Sequence, residues 1–401
     1  KFKFREKHFK KDTKTIMLTD NFLFQDFKRK KKSKKIQNHL KKIIQSNNEV
    51  INSLTNSYKY SYTKKLIRKF SNFKFIRIFG MGGSSLGSHA IYDFLKHRID
   101  KKFFFVSNLN RNKNFPKKKF LNLVISKSGN TLETIANSNV YIKKNDKSIF
   151  ITEDKKSVLK KIGLQLKNEI IDHNDYIGGR YSVLSEVGML PAELMGLNVN
   201  KFKQFNNLIK NKYFFNSITS NVENILELIR AKKFNSVILN YDESSDNFLK
   251  WYQQLVAESL GKKGNGILPI ISTMPKDNHS LMQFYLDGQK NNFYTFFYTL
   301  DKFSKKLNSR GIPKTMQFLK NKNLNDILLS QIFATQKVFK KQKIPFRSFI
   351  LKKRSEETLG ELFSFFIIET ILIAKVLKID PYNQPAVELI KKETKKNLIK
   401  T

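Results

Sequence analysis

Short apolar runs alternate with amphipathic stretches along most of the chain. From residue 73 onward, five runs have the length of buried strands: FKFIRIFG, KKFFFVSN, LNLVISKSG, SIFITED and LKNEIID. Each is followed by residues with helical spacing. Strands that alternate with helices are typical of a parallel sheet covered on both faces, so this part of the chain is predicted to form an α/β domain.

The same alternation begins again near residue 235. The strand-like runs are NSVILNYD, GILPIIST, NNFYTFFYTL and IPFRSFIL, and helical patterns separate them. Before the first domain, IQNHLKKIIQSNNEVINSL has helical periodicity without glycine or proline. We predict an N-terminal helical segment over 1–60, a first α/β domain over 61–200, a second over 201–385 and a helical tail over 386–401.

The longest apolar run, LFSFFIIETILIAKVL at 362–377, contains Glu369 and Lys375. It is too short and too charged to span a bilayer, so it predicts a buried helix. The amino end KFKFREKHFKKDTK carries charge without a following apolar stretch and does not resemble a signal peptide. These patterns predict a soluble, cytoplasmic protein.

Composition narrows the chemistry. The chain has 401 residues, no cysteine and a formal net charge of +43. The absence of cysteine excludes disulfides, thiolate nucleophiles and Cys-type zinc sites. Such a charge is typical of nucleic-acid or membrane binding, but lysine is over-used along the whole length, so we interpret it as a coding bias and predict no specific nucleic-acid partner and no membrane. The densest run, KRKKKSKK at 28–35, is either a solvated segment or an electrostatic arm.

A glycine turn, GMGGSSLG at 80–87, follows a predicted strand and precedes a predicted helix. A dinucleotide fingerprint needs glycines at its first, third and sixth positions, and here Gly80 and Gly82 fit while Ser85 takes the sixth place. No Gly-Lys-Ser/Thr follows, which excludes a Walker loop. The turn is either a tight structural turn or an anion-binding loop that uses backbone N–H groups and the Ser84 hydroxyl.

A second polar loop, ISKSGNTLET at 125–134, follows another predicted strand. Asn130 and Glu133 resemble a capping box, which would start a helix. Four other side chains suit a bound monophosphate. They are Ser126, Lys127, Ser128 and Thr131.

Two further stretches carry charged candidates. In GGRYSVLSEVGMLPAELMGLN, Gly179 lets the backbone approach a ligand and Arg180 can face a developing negative charge, although an ordinary turn with a surface arginine fits too. In WYQQLVAESLGKKG, Gln254 and Glu258 share one helix face with apolar residues. Glu258 is therefore either half of a buried ion pair or a general base.

The remaining candidates are a histidine and two residues near the carboxyl end. His279 follows Asp277 at a predicted helix start, where a histidine is usually a neighbour of the cap. The six histidines show no pair at metal-ligand spacing, so no metal site is predicted. Gln384 and Lys391 are seven residues apart and can share a helix face, although a lysine in this tail would face solvent by default.

Taken in order, these stretches resemble the signature blocks of the glucose-6-phosphate isomerase family. The blocks are GMGGSSLG, SKSGNTLET, GGRYSVLSEVGMLPAELMG, QQLVAESLGKKGNG, DNHSLMQFYLDG and NQPAVELIKK, within residues 75–395. The resemblance implies two sugar-isomerase domains of flavodoxin-like topology, each a parallel sheet between helices. It also implies a site between the domains and a homodimer with shared active sites.

The resemblance also implies roles for the matching residues. Glu258 matches the base that moves a proton between carbons 2 and 1, Arg180 the group that stabilises the enediolate, and His279 with Lys391 the pair that opens the sugar ring. The phosphate pocket matches Ser126, Lys127, Ser128 and Thr131; the residues along the sugar match Gly83, Ser84, Gly179, Gln254 and Gln384. Longer eukaryotic members read Thr-Phe-Thr where this chain has Ser128, Gly129 and Asn130.

The activity implied is the interconversion of glucose 6-phosphate and fructose 6-phosphate through a cis-enediol, a step of glycolysis and gluconeogenesis. It needs no cofactor and no metal. Three alternatives remain: a non-catalytic phosphosugar-binding module, a nucleic-acid-binding protein and an oxidoreductase. A phosphosugar-binding module would need neither Glu258 nor Arg180, so the presence of both counts against it. The nucleic-acid-binding alternative is supported by charge alone. Ser85, in place of the third glycine of a dinucleotide fingerprint, counts against an oxidoreductase.

Overall fold

The computed structural model describes residues 15–27, 33–109, 113–143, 145–300 and 304–400. The strands are β1 (Thr15–Met17), β2 (Phe22–Gln25), β3 (Phe75–Phe79), β4 (Lys102–Val106), β5 (Phe120–Ile125), β6 (Lys147–Thr152), β7 (Glu169–Asp172), β8 (Asn235–Asn240), β9 (Leu268–Thr273), β10 (Asn292–Thr299) and β11 (Phe346–Leu351). The α-helices are α1 (Lys34–Ile44), α2 (Glu49–Leu54), α3 (Lys64–Phe70), α4 (Gly83–Leu95), α5 (Leu132–Tyr141), α6 (Val158–Gln165), α7 (Glu186–Leu194), α8 (Phe205–Lys210), α9 (Lys212–Arg230), α10 (Asp246–Leu260), α11 (Met282–Asp287), α12 (Leu324–Lys341), α13 (Glu356–Val376) and α14 (Val387–Lys400).

The first sheet contains the five strands predicted between residues 73 and 172. Its order is β4-β3-β5-β6-β7, and every pairing is parallel. Numbered within the sheet this is 2-1-3-4-5, the flavodoxin-like order. The central strand β5 is buried at all six positions, which explains why five of its six residues are apolar. The predicted fold class is therefore confirmed for this half of the chain.

The second sheet repeats the plan with four parallel strands and a different edge. Its order is β1-β2-β11-β10-β8-β9. Strands β8 to β11 pair in parallel in the order 2-1-3-4, whereas β2 runs antiparallel against β11, with Phe24 opposite Phe349. The hairpin of β1 and β2 thus lies where a fifth parallel strand would be.

This hairpin corrects the prediction of a purely helical segment over 1–60. Its strands have three and four residues, and β2 is buried only because it pairs with β11 more than 300 residues later. A periodicity confined to neighbouring residues cannot detect such a pairing. Helices α1 and α2 do form where helical spacing was found. Residues 28–32 of the basic run lie outside the described residues, and Ser33 caps α1.

Three helices form the contact between the two sheets. Helix α4, which follows β3, packs against α10, which follows β8, and α10 also packs against α13. Helix α13 buries 18 of its 21 residues, so the longest apolar run is a core helix as predicted. In the part of the chain that the structure describes, no helix is long and apolar enough to cross a membrane. The two helices α4 and α10 run antiparallel: Asn247 at the start of α10 donates to Asp93 near the end of α4, and Gln254 in the second half of α10 lies against Gly82, just before α4. The glycine turn after β3 therefore meets the second half of α10.

Candidate active site

Helix α10 carries two polar side chains of the candidate site on a face that is otherwise apolar. Trp251 and Leu255 are buried, and the Trp251 ring packs edge-on against Phe363 at 4.7 Å between ring centres. One turn apart, Gln254 Nε2 donates to Glu258 Oε2 at 3.0 Å. The Glu258 side chain is 24% exposed, so this carboxylate is accessible although its helix is packed into the core.

Arg180 lies beside Glu258, with its side chain only 2% exposed. Four hydrogen bonds and one ion pair hold its guanidinium. Nε donates to Ser259 Oγ (2.9 Å), Nη1 to Gln384 Oε1 (2.8 Å), and Nη2 to the carbonyls of Pro381 (2.6 Å) and Asn383 (3.1 Å). Nη1 also forms an ion pair with Glu258 Oε1 at 3.1 Å. The guanidinium is fixed in orientation, and Nη1 is the nitrogen that faces the accessible carboxylate.

Two glycines of the 80–87 turn allow the domains to approach each other closely. A Cβ atom on Gly83 would lie 2.1 Å from the carbonyl carbon of Gly179, so only glycine fits there. Gly82 has φ +52°, and a Cβ on it would lie 2.8 Å from Gln254 Nε2. Both glycines are therefore explained by a tight structural turn. Gly83 lets the turn approach the backbone next to Arg180, and Gly82 lets it approach α10.

The same turn offers less to an anion than the sequence indicates. The Ser84 N–H donates to the Met81 carbonyl at 3.1 Å, and the Ser85 N–H donates to the Gly82 carbonyl at 3.0 Å. Both of these helix-start donors are used within the turn. The Ser84 hydroxyl is half-buried and makes no hydrogen bond to any described residue.

The 125–134 loop keeps its helix start open. Thr131 is the N-cap of α5, but its side chain does not cap the helix; the hydroxyl meets Ser126 Oγ at 2.9 Å. Ser128 is exposed, and its Oγ accepts from the Asn130 N–H at 3.3 Å. Lys127 Nζ lies 3.3 Å from Glu153 Oε1. The structure therefore gathers these hydroxyls and one paired lysine around the start of α5.

The predicted capping box of Asn130 and Glu133 is wrong. Asn130 Oδ1 accepts from the Val158 N–H at 3.1 Å, at the start of α6 and not of α5. The loop therefore ties two successive helices together through Asn130. This leaves the first N–H groups of α5 without a side-chain cap.

His279 and Lys391 are both exposed, and among the described residues neither has a hydrogen bond or an ion pair with Glu258. His279 follows a short 3-10 turn, Lys276–Asn278, and is exposed. Lys391 is 66% exposed on α14 and pairs with Glu388 at 2.6 Å. Gln384 precedes the first residue of α14, so the prediction that Gln384 and Lys391 share one helix face is wrong. Within the described ranges no group of three or more His, Asp or Glu side chains could hold a metal ion.

Comparison with known proteins identifies the family. A family model described as phosphoglucose isomerase matches residues 19–273, which is more than half of the chain. The chain belongs to the phosphoglucose isomerase family. The matched range contains Arg180, Gln254 and Glu258, whereas His279, Gln384 and Lys391 lie beyond it.

Relatives and solved structures agree with this family. A glucose-6-phosphate isomerase of Methanocaldococcus jannaschii is 31% identical, over 81% of this chain and 84% of that protein. One of Mycoplasmopsis synoviae is 29% identical, over 94% of this chain and 98% of that protein. A solved glucose-6-phosphate isomerase of Chlamydia trachomatis has the same fold, with a TM-score of 0.74 and 18% identity over 98% of this chain and 90% of that one.

Sequence reasoning missed three partners of Arg180. Ser259 directly follows Glu258, but a serine inside an apolar helix carries no chemical signal of its own. The carbonyls of Pro381 and Asn383 are backbone groups, which every residue has. Only the fold of the phosphoglucose isomerase chain, which brings the 380–384 loop to Arg180, reveals them.

Proposed function

We propose that this chain interconverts glucose 6-phosphate and fructose 6-phosphate by moving a proton between carbons 2 and 1 through a cis-enediol. Membership of the phosphoglucose isomerase family supports this reaction. The observation that carries the proposal is the setting of Glu258, an accessible carboxylate between a buried guanidinium and an amide donor. A carboxylate in this setting has both the access and the fixed orientation that a general base needs.

In the proposed mechanism, Glu258 removes the proton from one carbon and returns it to the other. Proton transfer by a positioned side chain contributes a factor on the order of 10² to 10⁴ in rate. The positive charge of Arg180 stabilises the enediolate from a position of low exposure, where electrostatic interactions are strong. Nη1 donates to Gln384 and forms an ion pair with Glu258, so a substrate oxygen would bind Nη1 in exchange for one of these two partners.

The phosphate of the substrate is proposed to bind at the start of α5. The side chains involved are Ser126, Lys127, Ser128 and Thr131. The start of a helix favours an anion because its first N–H groups are unpaired and the helix dipole is positive there. Lys127 Nζ lies 3.3 Å from Glu153 Oε1. To bind the phosphate, Lys127 would exchange this carboxylate for a phosphate oxygen.

The sugar is proposed to lie between this phosphate site and Glu258. The residues proposed to line it are Gly83, Ser84, Gly179, Gln254 and Gln384. The Oε1 atom of Gln254 is buried and has no hydrogen-bond partner among the described residues, so it is available to a sugar hydroxyl. His279 and Lys391 are proposed to open the sugar ring before the proton moves.

The test of the reaction is an incubation of the full chain with fructose 6-phosphate in heavy water. We expect deuterium at carbon 2 of the glucose 6-phosphate formed, because the proton on Glu258 exchanges with solvent while the enediol exists. Product without any deuterium at carbon 2 would contradict an enediol and favour a hydride shift. No product at all would overturn the proposed function.

We further propose a homodimer in which His279 serves the site of the neighbouring subunit. The exposure of His279, which leaves its side chain open to a neighbouring subunit, supports this arrangement. A two-fold axis would build two such sites at once.

Phosphorylated sugars are charged and do not cross membranes freely, so we propose that the enzyme acts in the cytoplasm.

Complementation tests the shared site. Inactive His279→Ala and inactive Glu258→Gln are mixed under conditions that exchange subunits. A hybrid dimer with shared sites contains one doubly defective site and one intact site, so activity should return toward half of wild type per hybrid. Absence of recovery despite exchange, measured with differently tagged subunits, would contradict the shared site.

A further inference from the structure

Ser259 connects the proposed base to the proposed cation. It directly follows Glu258 on α10 and is fully buried. Its Oγ accepts from Arg180 Nε at 2.9 Å and lies 2.8 Å from Tyr181 Oη. Tyr181 Oη in turn lies 3.1 Å from the Pro381 carbonyl. One small hydroxyl group therefore contacts two consecutive residues of the Arg180 turn.

The donors and acceptors of this cluster fit only one direction of hydrogen bonding. A serine hydroxyl has a single hydrogen, and among the described residues the only acceptor that Ser259 can reach is Tyr181 Oη. Tyr181 then donates to the Pro381 carbonyl. If Tyr181 donated to Ser259 instead, the Ser259 hydrogen would be buried without an acceptor, which is costly. The order is therefore Arg180 to Ser259 to Tyr181 to Pro381.

This chain of hydrogen bonds fixes the rotation of the guanidinium. The bond from Nε to Ser259 holds the inner edge of Arg180, so that Nη1 is turned toward Glu258 at 3.1 Å. Because Ser259 and Glu258 are neighbours on one helix, the same backbone sets the positions of both groups. A displacement of about 1 Å in such an arrangement can cost on the order of 10²-fold in rate.

We propose that Ser259 is a positioning residue for the isomerisation, whose hydroxyl orients Arg180 toward the proton-transfer site. The inference rests on the proposed function. Ser259 does not reach the substrate in this arrangement because it is fully enclosed. Its effect should appear in the stabilisation of the enediolate and not in the binding of the sugar phosphate.

The test compares Ser259→Ala with a control that also deletes a buried hydroxyl. Ser364 on α13 is equally buried, and its Oγ has no hydrogen-bond partner within the described chain, so Ser364→Ala is the matched control. For each variant we would measure kcat, KM and two inhibition constants. The inhibitors are a phosphorylated five-carbon hydroxamate, which mimics the enediolate, and glucitol 6-phosphate, which mimics the open-chain sugar.

We expect Ser259→Ala to lower kcat roughly tenfold, within the range for a buried donor that loses its partner. The hydroxamate should weaken by a similar factor, while KM and the glucitol 6-phosphate constant stay within about threefold. Ser259→Thr, which keeps the hydroxyl, should recover part of kcat. Ser364→Ala should match wild type.

Several results would overturn the inference: an unchanged kcat, equal weakening of both inhibitors, or an equal loss of kcat in Ser364→Ala. If Ser259→Ala does not fold, Tyr181→Phe tests the next link, and it should lower kcat and hydroxamate affinity together in the same way. If the wild-type chain isomerises the substrate and Ser259→Ala does so equally well, only this inference is contradicted. If the wild-type chain does not isomerise the substrate, the proposed function itself is contradicted.

Discussion

Two buried arginine–glutamate pairs in this chain have similar chemistry and different surroundings. Arg180 pairs with Glu258 at the candidate site, and Arg347 of β11 pairs with Glu369 of α13 in the second domain. Both arginine side chains are almost fully enclosed, at 2% and 1% exposure. Glu258, however, is 24% exposed, whereas Glu369 is 1% exposed. The accessibility of the carboxylate distinguishes the pair that is proposed to react with substrate from the closed pair.

The Arg347 guanidinium makes five hydrogen bonds, one more than that of Arg180. Its partners are Thr295 Oγ1 (3.0 Å), Asn221 Oδ1 (2.9 Å), Tyr252 Oη (3.2 Å) and both carboxylate oxygens of Glu369. Burial alone would lower the pKa of Arg347, but Glu369, together with Tyr252 and Asp26, outweighs it and the pKa is raised. Glu369 gives both oxygens to one arginine, while Glu258 divides its oxygens between Arg180 and Gln254.

Helix α10 is bound to both pairs. Tyr252 Oη accepts from Arg347 Nη2, and Ser259 Oγ, seven residues later on the same face, accepts from Arg180 Nε. One helix is therefore attached to both pairs, to the closed pair through Tyr252 and to the accessible pair through Ser259.

The largest expected effect comes from breaking the accessible pair. Glu258→Gln keeps the shape of the side chain and removes its basicity, so kcat should fall by 10²-fold or more. Affinity for 6-phosphogluconate, measured by inhibition of residual activity or by calorimetry, should stay near that of wild type. A variant that kept more than about a tenth of the wild-type kcat would contradict the role of Glu258 as the base.

Breaking the closed pair should have the opposite pattern. Glu369→Gln leaves Arg347 as a buried cation without its counter-charge, and removal of one partner from such a pair typically costs about 3–5 kcal/mol of stability. The free energy of unfolding in urea should fall by that amount, while kcat per folded molecule stays near wild type. A loss of kcat in folded Glu369→Gln, without a loss of stability, would remove the distinction between the two pairs.

The sequence identifies the residues of the Arg180–Glu258 pair as candidates, but it does not identify the Arg347–Glu369 pair. The difference has a physical reason. Strands and helices follow from local periodicity, and Arg180 and Glu258 lie in stretches with glycine turns and polar residues. Arg347 and Glu369 lie in apolar runs that read only as core, and their contact depends on how β11 packs against α13. The β1–β2 hairpin and the Gln384–Arg180 contact were likewise beyond local patterns, because their partners are distant in sequence.

A third pair, Lys127–Glu153, lies at the proposed phosphate site and extends the comparison to an exposed rim. Replacing Ser128 and Thr131 together by alanine removes two hydroxyls beside this pair, so inhibition by 6-phosphogluconate should weaken roughly tenfold. Inhibition by the non-phosphorylated sugar alcohol glucitol should change little. Equal weakening of both inhibitors would move the phosphate site elsewhere.

The smallest expected effect concerns a buried carboxylate that pairs with no arginine of the described ranges. Glu361 of α13 is 6% exposed and accepts from Thr19 Oγ1 at 2.7 Å and Asn21 Nδ2 at 2.8 Å, both in the β1–β2 hairpin. Burial raises the pKa of Glu361 to about 7, and the charges of Asp20 and Glu357 add to this shift. The two hydrogen bonds lower it only in part, so ionisation of Glu361 opposes folding.

The sign of the pH dependence follows from this raised pKa. The neutral form of Glu361 stabilises the folded chain fully below the ordinary carboxyl pKa, and that contribution disappears as pH rises through about 7. Between pH 6 and pH 8 the loss amounts to about 1 kcal/mol. Glu361→Gln keeps both hydrogen bonds and cannot ionise, so its free energy of unfolding, measured in urea at pH 6, 7 and 8, should gain about 1 kcal/mol on wild type over this range. A difference between variant and wild type that stays constant with pH would show that Glu361 does not ionise in this window, and the contrast between partnered and unpartnered carboxylates would then fail.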